Sequence, residues 1–311
     1  MKAVQYWTFG GPEVLEIVDL PEPKTFADFV LVRIEAAGLN PADLAYQSGA
    51  VDFLVDSLFP VTPGWDLAGV VERLGASATG FRPGDEVIGY VRGKAMHYGT
   101  YAEKIWAEPH QLIRKPKNLT WAQAAGLPVA GLTAYQAILH SLRVTEGDTV
   151  LVHGAAGGVG HLAVQIAVAQ GARVLGTGSE ASQAFIESLG ATPVRYGDEL
   201  VDQVLKIVPD GVDAVLDTAG RGSLATTPAL AAPGVRAASI TQSLTDYPGT
   251  IAVYLKLDGE DLTGLVELVE SGKVTVHVDR AFPLEEAADA QRLLAGGHVR
   301  GKVVLENRRN R

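Results

Sequence analysis

The chain has 311 residues, 47% hydrophobic and 20% charged, which suits about two soluble globular domains. Its net charge of −10 argues against a general nucleic-acid or anionic-membrane surface, no apolar run is long enough to span a bilayer, and the first residues carry no apolar leader, so the expected location is the cytoplasm. With no cysteine, and none of seven histidines in an H-x-x-x-H or H-E-x-x-H pattern, disulfides, thiolate catalysis and Cys-bound zinc are excluded and no metal site is expected.

The first hundred residues read as β-rich. Strands are predicted over 3–7, 14–18, 29–37, 68–74, 86–90 and 101–105, with turn signals at Gly10-Gly11-Pro12, Pro63-Gly64 and Arg82-Pro83-Gly84-Asp85. One short helix fits 41–47, with Asn40 as N-cap and Pro41 at the first helical position. Thr120 to Gln123 reads as a capping box, and a further helix covers 130–142. Strands at 150–152, 173–177, 193–196, 214–217 and 235–240 then alternate with helices at 181–189, 200–208 and 223–231. That alternation predicts a parallel sheet covered by helices on both faces. Strand 251–255, helix 261–271, strand 274–278, helix 284–294 and strand 302–305 follow, ahead of a basic tail from Arg308 expected to fray.

The stretch Gly154-Ala155-Ala156-Gly157-Gly158-Val159-Gly160 joins the buried strand 150–152 to a helix marked by Leu162, Ala163, Ile166 and Ala167. Strand, Gly-rich turn and helix in that order form an anion site, because first-turn amides lack intrahelical partners and the helix dipole is positive there. In the dinucleotide pattern G-x-G-x-x-G, Gly157 and Gly160 take the second and third places and Ala155 the first. The alternative is a small-residue turn that only packs a helix on a sheet. The second strand ends at Thr177, Gly178 and Ser179, where a reader of the adenosine ribose belongs.

Several motifs in order carry a resemblance: Gly38-Leu39-Asn40-Pro41-Ala42-Asp43, Pro63 to Gly69, Gly84 to Gly89, Thr100 to Glu103, Leu127 to Tyr135, Ala155 to Gly160, Gly211 to Gly220 and Gly301 to Leu305. On these the chain resembles the zinc-free quinone oxidoreductase (zeta-crystallin-like) branch of the medium-chain dehydrogenase/reductase superfamily. The resemblance implies an α/β protein with a GroES-like β-rich catalytic domain, split over 1–117 and 258–311, and a Rossmann doubly wound parallel-sheet cofactor domain at 118–257. It implies an active site in the cleft between the domains, and NADPH-dependent hydride transfer to a quinone or an α,β-unsaturated carbonyl. It also implies a homodimer joined through 251–257. Zinc relatives place a Cys at Asn40 and Gly-His-Glu at Gly64-Trp65-Asp66, so a zinc-type alcohol dehydrogenase is disfavoured. Two departures stand out. The branch carries Arg-Ser-Gly-x-Tyr where this chain has Gln47-Ser48-Gly49-Ala50-Val51, and a Lys for the 2′-phosphate where it has Ser182. They keep open a dinucleotide-binding sensor or structural dimer with little turnover.

The candidate catalytic residues are Asn40, Asp43 and Tyr46. Asn40 either hydrogen-bonds a substrate carbonyl or a ribose hydroxyl, or serves only as an N-cap. Asp43 is expected to brace the segment, and Tyr46 either replaces the missing Tyr or packs. His97 and Tyr98 are candidates to line the substrate site, and Thr133 to meet both substrate and nicotinamide. The cofactor set is completed by Ala156, Gly157, Gly158, Val159, Gly160, Thr177, Gly178, Ser179, Tyr196, Thr218 and Ala219. Ser179 can donate to a 2′-phosphate, while an inward Glu180 would repel it; with Tyr196 and adjacent Arg195, NADPH is favoured over NADH.

Overall fold

The computed structural model describes residues 1–24, 27–241 and 246–307, so the basic tail from Arg308 lies outside the described residues. In chain order the elements are β1 (Lys2–Gln5), β2 (Glu16–Asp19), β3 (Val30–Gly38), α1 (Pro41–Gln47), β4 (Asp66–Leu74), β5 (Glu86–Tyr90), β6 (Lys104–Ala107) and β7 (Leu112–Arg114). Next come α2 (Trp121–Ala125), α3 (Pro128–Gln136), β8 (Thr149–His153), α4 (Gly160–Ala169), β9 (Arg173–Gly178), α5 (Gln183–Ser188), β10 (Thr192–Arg195), α6 (Leu200–Ile207), β11 (Val212–Asp217) and α7 (Thr227–Leu230). The chain closes with β12 (Ala231–Ser239), β13 (Ile251–Ala252), α8 (Gly259–Glu270), β14 (Val278–Pro283), α9 (Ala287–Ala295) and β15 (Lys302–Glu306).

Two compact units result. One comprises Met1–Val129, Leu257–Thr263 and Val276–Arg311; the other comprises Ala130–Lys256 and Gly264–Thr275. Residues 118–129 thus group with the first unit and 264–275 with the second, whereas the sequence expectation drew its boundaries at 117 and 258.

In the first unit a seven-stranded sheet runs β14-β15-β3-β4-β5-β7, with β6 also paired to β3. All its pairs are antiparallel except β14 with β15. Strand β15 returns from the end of the chain to pair with β3, matching Val304 to Gly38, so residues more than 260 apart in sequence share one sheet. Its core gathers Val30, Val32, Leu67, Val87 and Tyr101 with Val303 and Leu305.

The second unit holds a six-stranded sheet ordered β10-β9-β8-β11-β12-β13, parallel throughout. That is the doubly wound order, whose switch point falls at β8 and β11; ligands bind beyond the carboxyl ends of such strands. Val150, Leu151 and Val152 are fully buried, as a central strand requires.

Several boundaries differ from expectation for local reasons. Residues 12–14 form a 3₁₀ turn rather than the start of a strand, because Pro12 fixes φ and the Glu13 carboxylate accepts the Gly11 N–H. The helix expected over 130–142 ends as α3 and continues as a π turn, Ala137–Ser141. Residues 274–277 are not a strand, since Gln165 Oε1 takes both the N–H and the hydroxyl of Thr275 at 2.9 Å; the strand begins at Val278. The 251–255 strand shortens to Ile251–Ala252; beyond it Val253 N–H still donates to Ser239 O, and the Gln136 amide takes up both backbone groups of Lys256.

Candidate active site

The turn after β8 is built as an anion cradle. Gly154 has φ of +72°, so it, and not Ala155, is the turn glycine; the repeat is Gly154, Gly157, Gly160. Ala155 is fully buried, and its methyl would touch a Cβ added at Gly176, so it packs the turn against β9. Gly157 donates to Gly154 O at 2.9 Å, and Ala155 N–H donates to Thr177 O at 3.0 Å. Among the described residues, the N–H groups of Ala156, Gly158 and Val159 have no protein acceptor. They stand at the start of the ten-residue α4, where the dipole adds to their attraction for an anion. At Gly160 a Cβ would lie 2.1 Å from Gly154 O, so this glycine lets α4 pack on β8.

The neighbouring loop is held by Asp217 at the end of β11. Its Oδ1 accepts from Ala219 N–H, Gly220 N–H and Ser223 Oγ, and its Oδ2 from Ser239 Oγ and Thr241 Oγ1. Burial raises its pKa, but these donors outweigh burial and hold the carboxyl below the usual range. Thr218 Oγ1 donates to His153 O at 2.7 Å, joining the loop to β8. Burial pushes the His153 imidazole down to about 4, so it is neutral at physiological pH.

At the end of β9, Thr177 Oγ1 accepts the Gly154 N–H, and Ser179 and Ser182 hydroxyls lie 3.3 Å apart. Ser182 is buried and donates to Ser179 O, so it shapes the turn. Arg195 pairs in register with Gly178, and its guanidinium meets exposed Glu180 at 3.0 Å. Glu180 is therefore turned to Arg195. Tyr196 is 62% exposed. Thr133 is buried on α3.

The first unit holds a buried polar cluster around Asn40. Lys302 opens β15 and is only 3% exposed; its Nζ donates to Leu39 O at 2.8 Å and Asn40 Oδ1 at 2.6 Å, and lies 3.6 Å from Asp66 Oδ2. Asn40 Nδ2 donates to Asp66 Oδ2 at 2.9 Å, and Val129 N–H donates to Asp66 Oδ1 at 2.7 Å. Asp43 Oδ2 accepts from Asn40 N–H at 2.8 Å and Tyr101 Oη at 3.1 Å. Burial pushes the Asp43 carboxyl up to about 7, and the nearby Asp66 adds to this. Burial also raises Asp66 and lowers Lys302. Gly38 is required here, because a Cβ would lie 2.4 Å from Ala125 O and 2.9 Å from Asp66 Oδ2.

The structure thus brings Asn40 and Asp43 together. The Asn40 side chain stands at the N-cap of α1 and engages Lys302 and Asp66, while the Asp43 carboxylate accepts the Asn40 N–H. Tyr46 packs edge-on to Trp65, which packs edge-on to Tyr90. His97 Nδ1 lies 2.7 Å from Leu58 O and 3.0 Å from Pro60 O, which fixes the Nδ1–H tautomer. Tyr98 packs against it at a tilt of 53° and is 72% exposed. Sequence reasoning missed Lys302 and Asp66 as a pair. The available signal was a charged residue at the first position of each strand, Asp66 before Leu67-Ala68-Gly69-Val70-Val71 and Lys302 before Val303-Val304-Leu305.

A parallel doubly wound sheet with an anion cradle after β8 in one unit, and a largely antiparallel sheet with a buried polar cluster in the other, suit a dinucleotide-dependent oxidoreductase. Residues 27–117 match the alcohol dehydrogenase GroES-like domain family, and residues 189–305 match the zinc-binding dehydrogenase family. The chain is 33% identical to quinone oxidoreductase from Homo sapiens, covering 98% of this chain and 97% of that protein. It is 35% identical to an NADPH-dependent alkenal/one oxidoreductase of Arabidopsis thaliana chloroplasts, covering 98% and 79%. A solved NAD-dependent alcohol dehydrogenase superposes with a TM-score of 0.91 at 33% identity, covering 98% and 99%. The chain therefore belongs to the medium-chain dehydrogenase/reductase superfamily, with quinone oxidoreductase (zeta-crystallin-like) relatives. It is an NAD(P)H-dependent oxidoreductase of the GroES-like plus Rossmann type.

The donor set does not suit zinc. Among the described residues no group of three or more His, Cys, Asp or Glu is placed to hold a metal ion. The Lys302 ammonium already stands against Asn40 Oδ1, and a dication there would be repelled by it.

Proposed function

We propose that this protein uses NADPH to reduce quinones or α,β-unsaturated carbonyls without a metal. The observation that supports this most is the Asn40 amide held between Lys302 and Asp66, where zinc relatives carry a Cys. A carbonyl conjugated to an electron-poor C=C accepts hydride with hydrogen bonding alone, whereas a simple alcohol needs stronger polarisation. The names of the quinone and alkenal/one relatives agree with that substrate class.

The chain's residues fit a dinucleotide. The amides of Ala156, Gly158 and Val159 would hold the pyrophosphate, with Gly157 giving access and Gly160 letting α4 pack close. Thr177, Gly178, Ser179 and Tyr196 would hold the adenosine ribose, and Thr133, Thr218 and Ala219 the nicotinamide side. When bound, NADPH supplies the hydride. The 2′-phosphate reading rests on Ser179 and on Arg195, which is in register with Gly178. Val51 and Ser182, in place of Tyr and Lys, favour a second reading of a dinucleotide-binding protein with little turnover. The two are separated by following NADPH oxidation with 1,4-benzoquinone, 9,10-phenanthrenequinone, an enone and a simple aldehyde. Turnover is expected with the quinones or the enone and not the aldehyde; cofactor binding without oxidation of any of them supports the second reading.

A further inference from the structure

We propose that Lys302 is a positioning residue for this reduction: through Asn40 it fixes and polarises the amide whose remaining N–H hydrogen-bonds the substrate carbonyl oxygen. The inference rests on the reductase reading above.

The geometry allows one orientation of that amide. Asn40 Oδ1 faces the Lys302 ammonium at 2.6 Å and Nδ2 faces Asp66 Oδ2 at 2.9 Å. Flipping the side chain would set its NH₂ against the ammonium and its oxygen against the carboxylate, two repulsive contacts in a buried site. Lys302 is itself held by Leu39 O, and Asp66 by Val129 N–H, so neither partner can swing away to permit the flip. Of the two Nδ2 hydrogens, Asp66 takes one. The other has no protein acceptor among the described residues.

The cation does more than orient. A charge-assisted bond into Oδ1 draws electron density from the amide nitrogen and strengthens Nδ2–H as a donor. In the reaction, an enone takes a hydride at its β-carbon from the reduced nicotinamide, which is oxidised by two electrons. The C=C pair moves toward the carbonyl, oxygen gains negative charge, and the enolate then takes one proton from solvent. A donor that strengthens as the oxygen becomes anionic lowers the barrier without tightening ground-state binding. A buried ammonium acting through an amide thereby does part of what a metal does in the zinc relatives.

The test is a double-mutant cycle on the full chain with Asn40→Ala and Lys302→Met, assayed with NADPH and 9,10-phenanthrenequinone or 3-penten-2-one. Each single change is expected to lower kcat by roughly 100-fold, the usual loss of one oxyanion donor, with KM within about threefold. In the Asn40→Ala background, Lys302→Met should add less than about threefold, because its effect passes through Asn40. Lys302→Arg, which keeps the charge and the donors, should recover most of the rate. NADPH affinity by calorimetry and the thermal midpoint of Lys302→Arg should match the parent. Should Lys302→Met fail to fold, Lys302→Gln keeps a donor without the charge and takes its place in the same cycle. Additive losses in the double variant, or a rise in KM at unchanged kcat, would overturn the role of Lys302 while leaving the reductase reading intact. No turnover by the parent chain sinks both.

Discussion

Gly157 and Gly160 stand three residues apart in one turn, yet substitutions at them should fail in opposite ways. A Cβ at Gly160 would lie 2.1 Å from Gly154 O and 2.9 Å from Ala155 Cα, both backbone atoms. No side chain can rotate to make room, so α4 must move off β8. Overpacking of this kind costs about 1–3 kcal/mol, and the contact with fixed backbone puts Gly160→Ala near the top of that range. At roughly 2–4 °C per kcal/mol, the thermal midpoint should drop by about 6–12 °C. At Gly157, a Cβ meets only Gly154 O, at 3.3 Å, and φ is not positive. Gly157→Val should therefore keep its midpoint within about 3 °C. Its methyl groups, however, would crowd the amides of Gly158 and Val159 and keep the pyrophosphate out. NADPH affinity by calorimetry should fall at least ~100-fold, the equivalent of about 2.7 kcal/mol. A folded Gly157→Val that binds NADPH like the parent would refute the placement of the nucleotide site. An unchanged midpoint in Gly160→Ala would refute the packing argument.

Removing Asp66 should be costly, since Asp66→Ala leaves the buried Lys302 ammonium with one charge partner fewer and removes the bond from Val129 N–H; about 3–5 kcal/mol should be lost in urea unfolding. Asp43, held at about 7, keeps a proton in the folded chain that the unfolded chain gives up near 3.8. Stability should thus fall as pH rises between those values, and Asp43→Asn should flatten the slope of thermal midpoint against pH. Arg195 is ion-paired with Glu180, so in the proposed NADPH site Glu180 would compete with the 2′-phosphate for it. Arg195→Ala should weaken NADPH by roughly tenfold and spare NADH, and Glu180→Gln should tighten NADPH, both read by calorimetry. We also propose a homodimer through residues 251–257, where Ile251 is 41% and Tyr254 76% exposed. Light scattering should give a dimer for the parent and a monomer for Tyr254→Asp, and a parent monomer at micromolar concentration would end that proposal.

Local chemistry was the legible part of the sequence. Asn40 followed by Pro41 marks the start of α1, and Ser48-Gly49 its end, so 41–47 was read to the residue. The alternation of strands and helices after Leu119 gave the parallel sheet, because each element announces itself by its own period. What stayed hidden depends on residues far apart in the chain. Lys302 reaches Asn40 only because β15 pairs with β3, a register that no local pattern encodes. The first place of the glycine pattern falls on Ala155, while the positive φ of the turn belongs to Gly154, which composition does not reveal. The 274–278 strand was misplaced because a side chain, Gln165, takes over the backbone group that a strand neighbour would otherwise bond.

The central claim is that this chain carries hydride from a nicotinamide to a conjugated carbonyl. It is tested most directly by incubating the protein with NADPH deuterated at C4, each face in turn, and an enone, and weighing the product. The account predicts one deuterium on the β-carbon of the saturated ketone from one face only, and none when Gly157→Val replaces the parent. Product without label from either face, or no product while NADPH is bound, would contradict it.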